Sequence, residues 1–260
     1  MTIAIFTLTG LIGLTAMVYP FIQSDLALEI GSISINSGNG SANQPLFTGL
    51  ILVICVAVLL VDLQGKAADA KVVASLGVLV AMASVLRLLE TAVPGPAGFS
   101  PIFVPIILAG YVFGPRYGFL MGALTLLTSA LITAGIGPWL PFQMLVAGWI
   151  GLTAGLLPHS AEPKREVLIL VLFGFFWGLL YGLFLNLFLW PFVTGGPESI
   201  INPDEGLTAS VGRYAAFYLT TSLLWDLARG FGNAILILAI SLPALRIMSR
   251  FKDKISFQTA

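Results

Sequence analysis

The sequence is poor in the residue types that build most metal sites. It contains one cysteine, Cys55, and one histidine, His159. One cysteine cannot form an internal disulfide or a cysteine cluster, and one histidine cannot supply a histidine-rich metal site. Cys55 lies inside an apolar run, where a thiol packs as a small hydrophobic group. We therefore predict no metal and no other cofactor.

Charged residues are also scarce, at 9% of the chain. Twelve Lys and Arg balance twelve Asp and Glu, so net charge gives no reason to expect a nucleic-acid partner. No Gly-Lys-Ser or Gly-Lys-Thr phosphate loop is present, which excludes an ATPase of that type within the sequence. No apolar run carries a row of basic residues, so a voltage sensor is also excluded.

Apolar residues, by contrast, make up 58% of the chain. A helix needs about 20 mostly apolar residues to cross the hydrocarbon core of a bilayer. The first run lacks a basic segment before it and a cleavage site after it, so we interpret it as a span rather than a signal peptide. The sequence predicts an all-α, polytopic transmembrane helix bundle of about eight spans, at residues 3–22, 46–61, 72–93, 102–113, 117–133, 142–157, 167–192 and 219–245.

The loops between these runs differ in charge on the two sides. One set contains nine of the twelve basic residues, and the other contains acidic residues without Lys or Arg. Because cytoplasmic loops carry excess Lys and Arg, we expect both termini to be cytoplasmic. The basic set is Lys66, Lys71, Arg116, Lys164, Arg165, Arg246, Arg250, Lys252 and Lys254, and the acidic set is Asp25, Glu29, Glu198, Asp204 and Glu205.

Two groups of polar residues fall inside predicted spans, near the outer side. Arg87 and Glu90 are three residues apart in the third span, and Asp226, Arg229 and Asn233 share one face of the last. Ionisable groups at such depths usually face a protein interior or a watery cavity. Two interpretations remain open: an ion-pair lock between helices, or a pocket for a polar solute.

The outer loops offer groups that suit a ring-containing solute. Trp139 supplies an aromatic wall, and Gln143 and Asn186 supply amides that both donate and accept hydrogen bonds. Trp190 and Trp225 are each more typical of the interfacial aromatic belt. Residues 193–212 are rich in Gly, Pro, Asn and acids, which predicts an outer loop that can act as a lid.

Small residues at helical spacing mark contact faces between membrane helices. Gly174, Gly178 and Gly182 form one such run, which we interpret as packing within the bundle. In the third span a second stripe has two interpretations, packing within the subunit or docking of a separate membrane subunit. Its members are Ala70, Ala74, Gly77, Ala81 and Ser84.

Four stretches carry a resemblance to a known family: FSPIFVPIILAGYVFGPRYGFLMGA at 99–123, GPWLPFQM at 137–144, the glycine-containing segment 148–155, and DLARGFGN at 226–233. The chain resembles the S component, or substrate-binding membrane subunit, of energy-coupling-factor (ECF) importers over about residues 71–254. The resemblance implies a six-span core at 66–260, to which residues 1–65 add two spans. It also implies a plasma-membrane protein of a bacterium or archaeon.

The same resemblance implies a binding subunit without catalytic residues. Its partners would be a small-molecule substrate such as a vitamin, a membrane scaffold subunit and two cytoplasmic ATPases. The scaffold would dock on the stripe from Ala70 to Ser84. We expect the solute to contact Arg87, Glu90, Trp139, Gln143, Asn186, Asp226, Arg229 and Asn233.

Two alternatives come from other classes of protein. An intramembrane enzyme would use Glu90 and Asp226 as acid and base, although an arginine three residues from each holds it ionised. A structural subunit of a larger membrane complex would use both clusters only to lock helices together. A self-sufficient secondary transporter is less favoured because no inverted repeat is evident.

Overall fold

The computed structural model describes residues 10–15, 17–18, 29–30, 33–34, 70–92, 99–137, 139–190 and 206–257. The predicted second span, 46–61, lies outside these residues, and the first is described only at 10–15 and 17–18, which are helical. The two N-terminal spans, and with them the count of eight, stay predictions. A short antiparallel pair, β1 (Glu29–Ile30) and β2 (Ile33–Ser34), lies in the predicted outer loop between them.

The described residues from position 70 onward form a helical bundle, which confirms the predicted all-α class. Four of its helices are long and apolar enough to cross a membrane, and two shorter ones are equally apolar. The helices are α1 (Ala70–Ala92), α2 (Phe103–Phe113), α3 (Pro115–Thr133), α4 (Leu140–Ala154), α5 (Pro163–Leu189), α6 (Gly206–Thr221) and α7 (Leu223–Phe257).

The two short helices, α2 and α4, form the centre of the bundle. Most of their side chains are buried against neighbouring helices. A short helix is tolerated there because protein, rather than lipid, surrounds its ends. The short run predicted at 102–113 is therefore surrounded by neighbouring helices.

Glycines allow α2, α3 and α4 to approach one another at backbone distance. Gly118 faces the Gly151 carbonyl, Gly122 faces the Ala147 carbonyl, and Gly110 also faces Gly151. A methyl group at any of these three positions would overlap the opposing backbone. Close packing of this kind drives helix association where lipid removes the hydrophobic drive between helices.

The prediction for the end of the chain is wrong in its boundaries. The segment expected to be a loop contains α6, and α7 continues through the charged tail to Phe257. Hydropathy does not detect α6 because Thr208, Ser210, Arg213 and Thr220 interrupt its apolar residues. The break between α6 and α7 is slight, because the Ser222 amide still donates to the Tyr218 carbonyl at 3.0 Å.

Trp190 also differs from its prediction. Its side chain is fully buried and packs edge-on against Tyr214 of α6, with ring centroids 5.7 Å apart. The unpredicted helix α6 therefore covers this residue, which is not part of an exposed belt. Trp225 is 53% exposed, as an interfacial residue would be.

Candidate functional site

The first polar cluster joins α1 to the segment that leads into α2. The Arg87 guanidinium lies 3.1 Å from Glu90 Oε1 and 3.4 Å from Oε2. The Ser100 hydroxyl donates to Glu90 Oε2 at 2.5 Å and accepts from Arg87 at 3.5 Å. The side chains of Arg87 and Glu90 remain 29% and 16% exposed. This ion pair is therefore formed but still accessible.

The second cluster is a polar row on α7 that faces the glycine run of α5. Asn233 donates to the Gly174 carbonyl at 3.1 Å, and Arg229 donates to the Gly178 carbonyl at 3.4 Å. Asp226 packs against Gly182 and forms an ion pair with Arg229. The glycines leave the space that these side chains occupy. The expectation that the run packs within the bundle is confirmed.

Tyr181 of α5 lies beside the second cluster and is buried. The Arg229 guanidinium carbon is 5.4 Å from the centroid of the Tyr181 ring, a cation–π distance. The Tyr181 hydroxyl makes no hydrogen bond with any residue in the part of the chain that the structure describes. The Asp226–Arg229 ion pair therefore borders a buried aromatic side chain.

Burial divides the α7 row into two kinds of residue. The side chain of Asp226 is 3% exposed and Asn233 is 1% exposed, whereas the side chain of Arg229 keeps 16% exposure. Asp226 and Asn233 thus lie between helices, and Arg229 lies where the interface opens toward Tyr181.

Three predicted site residues lie apart from these ion pairs. Trp139, before α4, is 45% exposed and donates to the Gly135 carbonyl at 3.3 Å. Gln143 and Asn186 are half-buried on α4 and α5. Their neighbours Phe142 and Phe188 stack with centroids 4.0 Å apart, which joins the two helices near both amides. Among the described residues, no hydrogen bond links these three to Arg87 or Arg229.

Sequence reasoning missed Ser100 and Tyr181. Ser100 stands within one of the stretches that resemble the family, but its bond to Glu90 spans ten positions that are not all helical. Tyr181 is the one tyrosine of α5. A polar aromatic residue inside an apolar span, next to the Gly182 position of the glycine run, is the signal that points to it.

The end of the bundle at the C-terminus of α2 has a separate polar cluster. The Tyr111 hydroxyl donates to Glu166 at 2.9 Å, its ring stacks on His159, and Lys252 donates to the Val112 carbonyl at 2.6 Å. These bonds join α5, the loop before it and α7 to the C-terminal end of α2. No group of three or more His, Cys, Asp or Glu residues that could hold a metal ion occurs among the described residues.

The small-residue stripe of α1 is largely open. Ala70, Ala74, Gly77 and Ala81 are exposed, whereas Ser84 is 1% exposed and turns into the bundle. A methyl group added at Gly77 would meet nothing within 4 Å. The exposed stripe is therefore Ala70 to Ala81, and Ser84 is not accessible to a partner on that face.

Comparison with known proteins adds a family to this geometry. The family model described as "ECF transporter, substrate-specific component" matches residues 71–241, which include α1 apart from Ala70, all of α2 to α6 and about half of α7. No curated protein and no solved structure matches the chain. The match covers more than half of the sequence and includes the helices that carry both ion pairs. The chain belongs to the family of substrate-specific components of ECF transporters, which are integral membrane subunits that bind a substrate.

Proposed function

We propose that this S component captures a vitamin or a related small, polar, ring-containing solute from outside the cell. A membrane scaffold subunit and two cytoplasmic ATPases would then drive its uptake. The observation that carries the proposal is the presence within the bundle of two ion pairs, Arg87–Glu90 and Asp226–Arg229, whose arginines keep part of their side-chain surface exposed. A polar group in a membrane bundle is costly unless it has a partner or a function.

The accessible members of the two clusters are the groups that touch the solute. Arg87, Glu90 and Arg229 keep part of their surface exposed, and the Tyr181 hydroxyl has hydrogen-bonding capacity that no described residue uses. The planar guanidinium of Arg229, which lies over the buried Tyr181 ring, is suited to stack on a planar solute. Asp226 and Asn233 support this surface from behind by holding α7 to α5.

The remaining predicted contacts line the route from outside. Trp139 is exposed ahead of α4, where its ring is available to an arriving solute. Gln143 and Asn186 lie on the two helices that the Phe142–Phe188 stack joins. Their side-chain amides can donate hydrogen bonds to the solute and accept hydrogen bonds from it. These three residues would act before the solute reaches Tyr181.

The exposed face of α1 supports docking of the scaffold. Glycine inside a helix costs about 1 kcal/mol relative to alanine, so a buried contact usually explains it. Gly178 and Gly118 have such contacts within this chain, and Gly77 has none within 4 Å. A second helix lying across Ala74, Gly77 and Ala81 would use the missing side chain, because small residues allow backbones to approach closely.

The hydrogen bonds and ion pairs of Glu90 and Asp226 argue against an intramembrane enzyme. Glu90 bonds Arg87 and Ser100, and Asp226 pairs with Arg229, so each is held by a cation on its own helix. The two acids therefore form separate ion pairs and not one catalytic pair. A purely structural subunit would need the locking residues but not the accessible face around Tyr181.

Native mass spectrometry of the gently extracted protein tests the proposal. We expect a bound small molecule and co-purifying scaffold and ATPase chains from the native membrane. An Arg87→Ala variant, extracted in the same way, should lose the small molecule and keep the partner chains. A protein that travels alone, and stays empty when offered a panel of vitamins, would favour the structural alternative.

A further inference from the structure

We infer that the solute carries no net negative charge. This inference rests on the proposed function, because it concerns the same site around Tyr181. Arginines in a binding site ordinarily suggest a carboxylate or phosphate ligand. Three features of this chain argue for the opposite class of substrate.

The first feature is that both arginines already have an internal anion. Arg87 bonds both oxygens of Glu90, and Arg229 pairs with Asp226 while also bonding the Gly178 carbonyl. A solute carboxylate would have to compete with a carboxylate three residues away on the same helix. Each cluster is formally neutral, so neither offers an excess of positive charge.

The second feature is the charge balance of the whole site. Among the described residues of the two clusters, two cations and two anions leave no net charge. Moving an ion from water into a partly buried site is unfavourable unless opposite charge compensates it. A neutral solute avoids this cost and still uses the hydrogen-bonding groups of Arg87, Arg229 and Tyr181.

The third feature is a surplus of acceptor atoms. Asp226 Oδ2 and Asn233 Oδ1 are buried and make no hydrogen bond of ordinary geometry with a described residue. The nearby Tyr218 hydroxyl bonds the Leu179 carbonyl at 3.4 Å and also interacts with the Asp226 carboxylate, so Asn233 Oδ1 is the acceptor left without a described donor. Oxygen lone pairs that face the low-dielectric interior make the local potential more negative. Such surroundings favour a solute that donates hydrogen bonds over a solute that carries negative charge.

The charge of the loops on the proposed outer side also disfavours an anionic solute. The predicted outer loops carry Asp25, Glu29, Glu198, Asp204 and Glu205, and α6 adds one basic residue, Arg213, so acidic residues predominate. Charge of one sign around an entrance repels like-charged solutes and lowers their association rate. An anion would therefore be disfavoured on approach as well as in the site.

Matched pairs of compounds that share a ring but differ in charge test this inference. We would measure binding to the purified, full-length protein by calorimetry with nicotinamide and nicotinate, riboflavin and riboflavin 5′-phosphate, and pyridoxine and pyridoxine 5′-phosphate. The neutral member of the pair that binds should bind at least about tenfold more tightly, equivalent to about 1.4 kcal/mol. Any solute retained from the native membrane should likewise be neutral or cationic.

The possible results separate this inference from the proposed function. Tighter binding of the anionic member, or an anionic retained solute, overturns the inference and leaves solute capture standing. No binding by any of the six compounds, together with no retained solute, overturns solute capture itself. The inference then falls with it.

A charge-neutralising variant tests whether the charge of Glu90 causes the preference for a neutral solute. Glu90→Gln keeps the acceptor for Arg87 but removes the compensating charge, so the anionic member should gain about tenfold relative to the neutral one. Glu166→Gln removes a carboxylate at the opposite end of the bundle, where it accepts from Tyr111, and should leave the ratio unchanged. Equal ratios in both variants would contradict the inference, because a merely structural role for Glu90 would not shift this preference.

Discussion

The side-chain amide of Asn233 donates a hydrogen bond to the carbonyl oxygen of Gly174, over 3.1 Å, across the interface between α7 and α5. Arg229 bonds Gly178 in the same way, and Asp226 packs on Gly182. Each polar residue of α7 thus meets one glycine of α5. The glycine run and the polar row form a single seam, in which the missing side chains of one helix admit the polar side chains of the other.

Closing one of these spaces should destabilise the bundle. Gly178→Ala places a methyl group against the backbone of Gly230, which should lower the free energy of unfolding by about 1–3 kcal/mol. Thermal unfolding in detergent would measure the change. Gly77→Ala is the matched control, since it meets nothing within 4 Å and removes a helix-destabilising glycine, so stability should hold or rise by up to about 1 kcal/mol. Equal losses in both variants would contradict the role of the seam.

Variants in the seam between α5 and α7 should lower stability, whereas variants in the accessible Arg87–Glu90 cluster should lower solute binding. Asn233→Ala removes a buried hydrogen bond and leaves the Gly174 carbonyl without that donor, which should cost about 1–3 kcal/mol of stability. Arg87→Ala should instead lower solute affinity at least about tenfold while the melting temperature changes little, because its side chain is 29% exposed. Thermal unfolding and calorimetry on both variants check this. If Arg87→Ala unfolds the protein, the structural alternative gains support.

The Tyr181 hydroxyl should act on the solute rather than on the fold. Tyr181→Phe keeps the ring beside Phe103 and Arg229 but removes a group that makes no hydrogen bond with a described residue. We expect solute affinity to fall about tenfold, the loss of roughly one hydrogen bond, with unchanged stability. Calorimetry on the purified variant is the measurement.

Tyr214→Phe provides the comparison. Its hydroxyl donates to the Leu183 carbonyl at 2.6 Å and holds α6 against α5, so this variant should loosen α6. Faster amide hydrogen exchange in residues 206–221 would show it. A Tyr181→Phe variant with wild-type affinity would remove this residue from the proposed site.

A bulky residue on the open stripe of α1 should block docking. Gly77→Phe fills the space that the approaching helix would use, whereas Val78→Phe alters a side chain that is 69% exposed at the next position of the same helix. We expect Gly77→Phe to abolish co-purification of the scaffold and uptake while solute binding persists. Val78→Phe should retain co-purification. Loss of the scaffold in both variants, or in neither, would contradict docking on this stripe.

Much of this architecture is readable from local pattern. The third span, predicted at 72–93, is α1 at Ala70–Ala92, because a continuous apolar run has one way to satisfy its backbone in lipid. The ion pairs Arg87–Glu90 and Asp226–Arg229 were predictable as neighbours, since residues three apart share a helix face. Helix α6 was not predicted because its polar residues lower its hydropathy. Without that helix, Trp190 was wrongly assigned to the interfacial aromatic belt.

The sequence by itself determined the helical class, the position of each apolar run and the polar pairs within single helices. Each of these properties depends on spacings of a few residues along one chain segment. The tertiary structure alone decided that Tyr181 packs beside Arg229, that Ser100 bonds Glu90 and that Ser84 is buried. Such relationships depend on which face of one helix meets which face of another. Close packing of whole helices sets that choice, and no short spacing encodes it.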